Sequence, residues 1–259
     1  MEYISSYELA KACNTIFSQE VTEDQFLKIQ DKYSSIFEKK GNRVSYINSK
    51  IFVKNGDSIF AKTDNLNLLF NLLKKYPMVK NLKLITSQDD LKIDNQILRK
   101  LPPNINIWFS INIDTKSPKV FSIPLGLANN YDKNLNVEDF NKANLTNNFY
   151  DLKKNLLYLN FNNNTNSKER GEIYDRFSSF SWVKSTSFNL SKEDYLNDLS
   201  SSNFVFCPPG NGIDTHRMWE TLYAGSIPVV KKSYHTLSFS ELPIFYYETF
   251  LDVSEESLL

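Results

Sequence analysis

The segment from Ser202 to Val230 constrains this chain more than any other. Ser202-Asn-Phe-Val-Phe-Cys207 is apolar and rich in β-formers, so it reads as a buried strand. Pro208-Pro-Gly-Asn-Gly212 follows, and two prolines with two glycines exclude both helix and sheet there. Asp214 to Ala224 has helical character, and Gly225 sits where a helix ends. Ser226-Ile-Pro-Val-Val230 then opens a second apolar strand. A strand, a tight turn, a short helix and another strand demand a parallel sheet with helices packed on it.

The same segment carries the most suggestive chemistry. A glycine-rich turn running into a helix start offers unpaired amides and the positive end of a dipole, which together favour an anion. Arg217 lies in the first turn of the expected helix, and Glu220 follows three residues later on the same face. A guanidinium suits a diphosphate, and a carboxylate suits a pair of ribose hydroxyls. The blander alternatives are that Gly210 and Gly212 only shape a turn, that Arg217 and Glu220 form a surface ion pair, and that Trp219 is a core anchor.

The order of an apolar strand, Pro-Gly, a short gap, Arg217, Trp219-Glu220 and Gly225-Ser-Ile-Pro-Val-Val230 resembles the donor-binding segment of exostosin-like glycosyltransferases of the GT-B architecture. Weaker likenesses are Asn155-Leu-Leu-Tyr-Leu-Asn-Phe-Asn162, Leu82-Lys-Leu-Ile-Thr-Ser-Gln-Asp-Asp90, Phe121-Ser-Ile-Pro-Leu-Gly126 and Glu241-Leu-Pro-Ile-Phe-Tyr-Tyr247. The resemblance implies transfer of a sugar from a UDP-, GDP- or CDP-sugar to a carbohydrate or other hydroxyl acceptor, with no metal or other cofactor required. It implies donor contacts from Arg217, Glu220, Gly210, Asn211, Gly212, Asp214 and His216. Arg170, Lys168 and Asn162, after the first strand of the same domain, are further donor-side candidates. Arg217 would also stabilise charge on the leaving diphosphate. An inverting enzyme needs a base for the acceptor hydroxyl, and Asp90 and Asp64 in the first half are the candidates, with Asp89 adjacent. Asp64 is equally readable as a helix cap. The alternative function is a catalytically degenerate module that binds a nucleotide or glycan without turnover.

Composition narrows the partners. Lysine plus arginine equals aspartate plus glutamate at 30 each, so no basic excess recruits nucleic acid. Two cysteines, Cys13 and Cys207, and two histidines, His216 and His235, suggest neither a disulfide framework nor a multi-histidine metal site. No Asp-X-Asp triplet occurs. No apolar run approaches the ~20 residues that cross a bilayer, and Met1-Glu-Tyr-Ile-Ser-Ser6 is no signal peptide. A cytoplasmic protein is expected, and the bias toward Asn, Lys, Ile and Ser fits an AT-rich bacterial or viral genome.

Along the chain, residues 1–40 read as polar and helical, with helices from Ser6 and from a Thr22/Gln25 capping box, and form an expected N-terminal helical cap. Strands are expected at Val44–Val53, Ser58–Lys62, Leu82–Ile85, Asn106–Ser110 and Lys119–Ile123, with helices at Asn65–Tyr76 and from Asp94. Residues 127–152 read as a connection with a weak helix at Val137–Ala143. The expected fold is α/β and GT-B-like: two small Rossmann-like domains, 1–150 and 151–259, facing a cleft.

Overall fold

The computed structural model describes residues 3–130, 134–143, 153–187 and 189–259. It contains two compact units, Met1–Lys133 and Asn134–Leu259. Nearly half of the expected connection, residues 131–133 and 144–152, lies outside the described residues.

In the first unit, five parallel strands run in the order β1, β5, β6, β7, β8: Thr15–Ile16, Ser58–Lys62, Leu82–Ser87, Ile105–Ser110 and Val120–Ser122. The helices are α1 (Ser6–Lys11), α2 (Glu23–Ile29), α3 (Leu66–Leu73) and α4 (Asn95–Leu98). Leu66, Leu69, Phe70 and Leu73 recur at helical spacing and bury one face of α3 against Ile59, Leu84 and Trp108. The Trp108 indole donates to Thr86 Oγ1 at 2.9 Å, so the largest core side chain leaves no polar atom unpaired.

The expected helical cap is only partly present. Both helices form, and the Thr22/Gln25 capping box closes as expected. Between and after them lie strands β2 (Ser18–Thr22), β3 (Ser34–Lys40) and β4 (Arg43–Asn48), which pair antiparallel in the order β2, β4, β3. Val21, Val44, Tyr46 and Phe26 form a small core between this sheet and α2. Ser34–Lys40 is exposed at every position but its first and shows no period-2 burial, which is why its charged sequence does not announce a strand.

In the second unit, α5 (Val137–Ala143) is the weak helix of the expected connection, and Phe140 meets the Tyr223 ring edge-on at 6.1 Å. Five parallel strands follow in the order β10, β9, β11, β12, β13: Val183–Ser185, Asn155–Leu159, Ser202–Cys207, Ile227–Lys231 and Phe245–Tyr247. The helices are α6 (Ser167–Phe177), α7 (Lys192–Ser200), α8 (His216–Tyr223), α9 (Tyr234–Leu237) and α10 (Glu255–Leu258). The chain steps from β9 outward to β10, then back past β9 to β11, β12 and β13. Right-handed crossovers therefore place α6 on one face and α7 and α8 on the other.

Strand alternation follows this division. Leu157, Leu159 and Phe206 face Ile173 and Phe177 of α6. Tyr158 points the other way and meets the Tyr195 ring of α7 at 6.4 Å. The order reverses between β9 and β11, and ligands of open α/β sheets bind outside the carboxyl ends of strands at such a reversal. The loops leaving β9 and β11 are residues 160–166 and 208–215, which hold half of the donor-side candidates, the others lying on the helices that follow them.

Candidate functional site

The turn after β11 is built by an arginine. Arg170 of α6 is 8% exposed and makes three hydrogen bonds to backbone carbonyls. Nε donates to Pro209 O at 3.0 Å, Nη2 to Pro208 O at 3.1 Å, and Nη1 to Asn162 O at 2.8 Å. It thus ties the loop after β9 to the turn after β11. A Cβ at Gly210 would lie 3.1 Å from Arg170 Nη2, so glycine is there because the guanidinium approaches closely. Gly210 N–H donates to Gly212 O at 3.1 Å and closes the turn, with Asn211 exposed at its tip. Asn162 caps the 3₁₀ turn Asn163–Thr165 by accepting from the Asn164 amide. Its side chain and that of Arg170 therefore shape the loop rather than project from it.

Asp214 has a similar building role. Its carboxyl is buried, with Oδ1 accepting from the Thr215 amide at 2.8 Å and from the Trp219 indole at 2.9 Å. Oδ2 lies 3.2 Å from His235 Nε2, and both side chains are fully enclosed. Trp219 packs edge-on against Phe239 at 5.0 Å, so it is a core anchor. Helix α8 starts at His216, two residues later than expected, because Asp214 is committed to this cluster. Thr215, its N-cap, places no side-chain oxygen on the first-turn amides.

Arg217 and Glu220 do share a face of α8, and Tyr195 of α7 joins them. Arg217 Nη1 donates to Tyr195 Oη at 3.1 Å, and Tyr195 Oη donates to Glu220 Oε2 at 2.9 Å. The guanidinium also lies over the Tyr195 ring, 5.6 Å from its centroid. Arg217 is partly exposed and forms no salt bridge among the described residues. Glu220 is 3% exposed, and its Oε1 is buried with no hydrogen-bond partner among the described residues.

Electrostatics around the pair is unbalanced toward positive charge. Burial pushes the Arg170 guanidinium down to about 10, and the nearby Arg217 cation adds to this. Arg217 is held above its ordinary value although burial works against it, because Tyr195 and Glu220 favour the cation. Burial raises the Glu220 pKa from its ordinary value, opposed by Arg217, His216, the Tyr195 hydroxyl and the Leu135 backbone amide. The Cys207 thiol, beneath α8, is pushed up to about 12 by burial and is an inert core group. His216 is half-buried at the helix start, beside Glu220.

Lys168 is exposed in the first turn of α6. It lines a cleft of about 340 Å³ with Asn166, Glu169, Lys231 and Phe250 rather than meeting Arg217. Lys231 is engaged there by Glu169 at 2.9 Å.

In the first unit, Asp64 and Asp90 stand apart in character. Asp64 is not a helix cap: α3 receives no side-chain cap, and Asp64 Oδ2 instead takes a 2.5 Å hydrogen bond from Lys62 Nζ. Asp89 Oδ2 lies 3.7 Å from the same ammonium, and burial raises its pKa. Asp90 is exposed. The residues beside this group are held in left-handed backbone: Gln88 at φ 67° and Asn112 at φ 55°. The Gln88 amide bonds both the N–H and the C=O of Glu20, which fixes β2 to the end of β6.

Sequence reasoning missed Tyr195 and Lys62. Tyr195 falls with Leu196 and Leu199 on one helical stripe and reads as core, although in the fold it is half-buried. Lys62 ends an apolar strand, with nothing in its neighbours to signal a buried cation. Among the described residues no group of three or more His, Cys, Asp or Glu could hold a metal ion, and no helix is long and apolar enough to cross a membrane.

The family described as the RXYLT1 C-terminal domain matches residues 153–241, about a third of the chain. No curated protein sequence matches the chain significantly. The matched stretch runs from the start of β9 past α9 and so contains Arg170, Tyr195, Arg217 and Glu220. It is similar to an exostosin-family-related glycosyltransferase domain, which gives the second unit a glycosyltransferase-related character.

Proposed function

We propose that the chain is a glycosyltransferase that takes its sugar from a nucleotide-sugar held by the second unit. The observation that carries this reading is the pairing on α8, among the described residues, of a guanidinium in no salt bridge and a buried carboxylate with one oxygen lacking a hydrogen-bond partner. A buried acceptor without a donor costs about 1–3 kcal/mol, so it is best explained by a ligand that supplies the donor. A ribose hydroxyl does so for Glu220 Oε1. The diphosphate of the same molecule answers Arg217 and the first-turn amides of α8. As the glycosidic bond breaks, negative charge grows on the diphosphate, and Arg217 stabilises it there. Arg170 assists indirectly by holding the turn that presents these amides.

Within this reading the enzyme is of the GT-B type, accepts a UDP-, GDP- or CDP-sugar without a metal, and glycosylates a carbohydrate hydroxyl. A second reading, a binding module without turnover, is favoured by one observation. Of the two candidate bases, Asp64 is neutralised by Lys62 and Asp90 is exposed to water. A thermal-shift screen with UDP-, GDP-, CDP- and ADP-sugars, followed by an assay for released nucleotide, decides among these. One donor class should raise the melting temperature, and Arg217→Ala should lose most of that rise. Binding with no release in the presence of a glycan panel supports the module. A protein indifferent to every donor contradicts both readings.

A further inference from the structure

We infer that Tyr195 is a positioning residue that sets the protein's selectivity for a ribose over a deoxyribose in its nucleotide ligand. The inference rests on the proposed reading of Arg217 and Glu220 and deepens it.

Proton accounting fixes the direction of the network. A guanidinium has no acceptor, so Arg217 Nη1 can only donate to Tyr195 Oη. The phenol's single proton is then directed to Glu220 Oε2, 2.9 Å away. With Oε2 occupied, Oε1 is the carboxylate oxygen left for a ligand hydroxyl: it is buried and has no partner at hydrogen-bond geometry among the described residues, and the Leu135 amide is the one backbone group near the carboxyl. Tyr195 itself is held from two sides. Its ring lies against Tyr158 at 6.4 Å, and the Tyr158 hydroxyl is bonded to Thr186 Oγ1 at 2.8 Å. Arg217 covers the ring from the other element. The carboxylate that would read the sugar hydroxyls is thereby oriented by a hydroxyl that never needs to touch the ligand. Without that hydroxyl, Oε2 loses its only side-chain donor among the described residues and the carboxylate is less firmly oriented, so a missing ribose hydroxyl is felt less.

The test measures Kd by calorimetry for UDP, GDP, CDP and ADP, and then for the 2′- and 3′-deoxy forms of whichever binds. Wild type should prefer the ribonucleotide by about tenfold or more over at least one deoxy form, the scale of one hydrogen bond to a charged group. Tyr195→Phe, which removes only the hydroxyl, should reduce that preference to about threefold or less while binding the deoxy form almost as wild type does. A general loss of structure would weaken both ligands alike and leave the ratio intact. An unchanged ratio in Tyr195→Phe overturns the inference and leaves the proposed function standing. Wild type that binds none of the four nucleotides overturns the proposed function and the inference with it. Should Tyr195→Phe fail to fold, Tyr195→His and Tyr195→Leu are compared. The His variant, with a ring N–H, must keep more of the preference than the Leu variant, and equal ratios overturn the inference.

Discussion

Two arginines sit close enough in the second unit to repel each other, yet they should differ sharply in what their removal costs. Arg170 gives three charge-assisted hydrogen bonds to backbone carbonyls. Two of those carbonyls keep a second donor when it is gone: Asn166 Nδ2 on Pro209 O at 3.2 Å, and Thr165 Oγ1 on Asn162 O at 3.3 Å. Only the bond to Pro208 O is lost with no second donor among the described residues, which costs about 1–3 kcal/mol. The other two bonds add about 1 kcal/mol each, and removal of a partly desolvated cation returns some of the sum. Arg170→Ala should therefore cost about 3–4 kcal/mol. At a urea dependence of about 1–3 kcal/mol per molar, the unfolding midpoint of the second unit falls by roughly 1–2 M or more. Among the described residues the Arg217 guanidinium makes one hydrogen bond and one cation–π contact, both with Tyr195; its removal relieves the repulsion on Arg170 but takes an offsetting charge from Glu220. Arg217→Ala should cost about 1–2 kcal/mol, less than Arg170→Ala, with the lost offset to the Glu220 carboxylate as the main part. Urea titration followed by tryptophan emission reads both, since Trp182 and Trp219 lie in the second unit. If Arg170→Ala keeps the wild-type midpoint while Arg217→Ala loses a molar or more, the division into a building and a binding arginine is refuted.

Three further outcomes follow from the same geometry. Burial raises the Glu220 pKa in the folded protein above its unfolded value, so its contribution to stability is greatest below the unfolded value and is lost as pH rises through the folded one. Glu220→Gln should gain stability relative to wild type between pH 4 and pH 7, measured by melting temperature, and a gap independent of pH contradicts this. A Cβ on Gly126, at φ 72°, would come within 2.2 Å of the Ile4 carbonyl oxygen, so Gly126→Ala should destabilise the first unit by about 2 kcal/mol or more in urea. Asp214→Ala strips the acceptor from the Trp219 indole and the His235 ring, and should cost about 3 kcal/mol and shift the Trp219 emission.

The second unit was legible because its local signals and its tertiary packing agree. The Pro-Pro-Gly turn and the left-handed Gly225 at φ 72° each mean the same thing alone and in the fold. The first unit was less so where propensity and context part. Ser34–Lys40 carries charge at three of its seven positions and becomes a strand only because β4 offers it a partner. At the candidate site, residue type pointed to Arg217 and Glu220, while the roles of Arg170, Asn162 and Asp214 could be learned only from their partners. Arginine beside a glycine-rich turn looks the same in sequence whether it grips a ligand or the turn's own carbonyls. Tyr195 was hidden for a related reason: one hydroxyl carries its role, and the rest of the side chain reads as core.

A crystal structure of the wild-type protein with a bound nucleoside diphosphate, from separate soaks of UDP, GDP, CDP and ADP, tests the central claim most directly. Phosphate oxygens should lie within hydrogen-bond distance of Arg217 and the amides at the start of α8, with a ribose hydroxyl on Glu220 Oε1. A nucleotide bound elsewhere in the second unit, with Arg217 and Glu220 untouched, would contradict it.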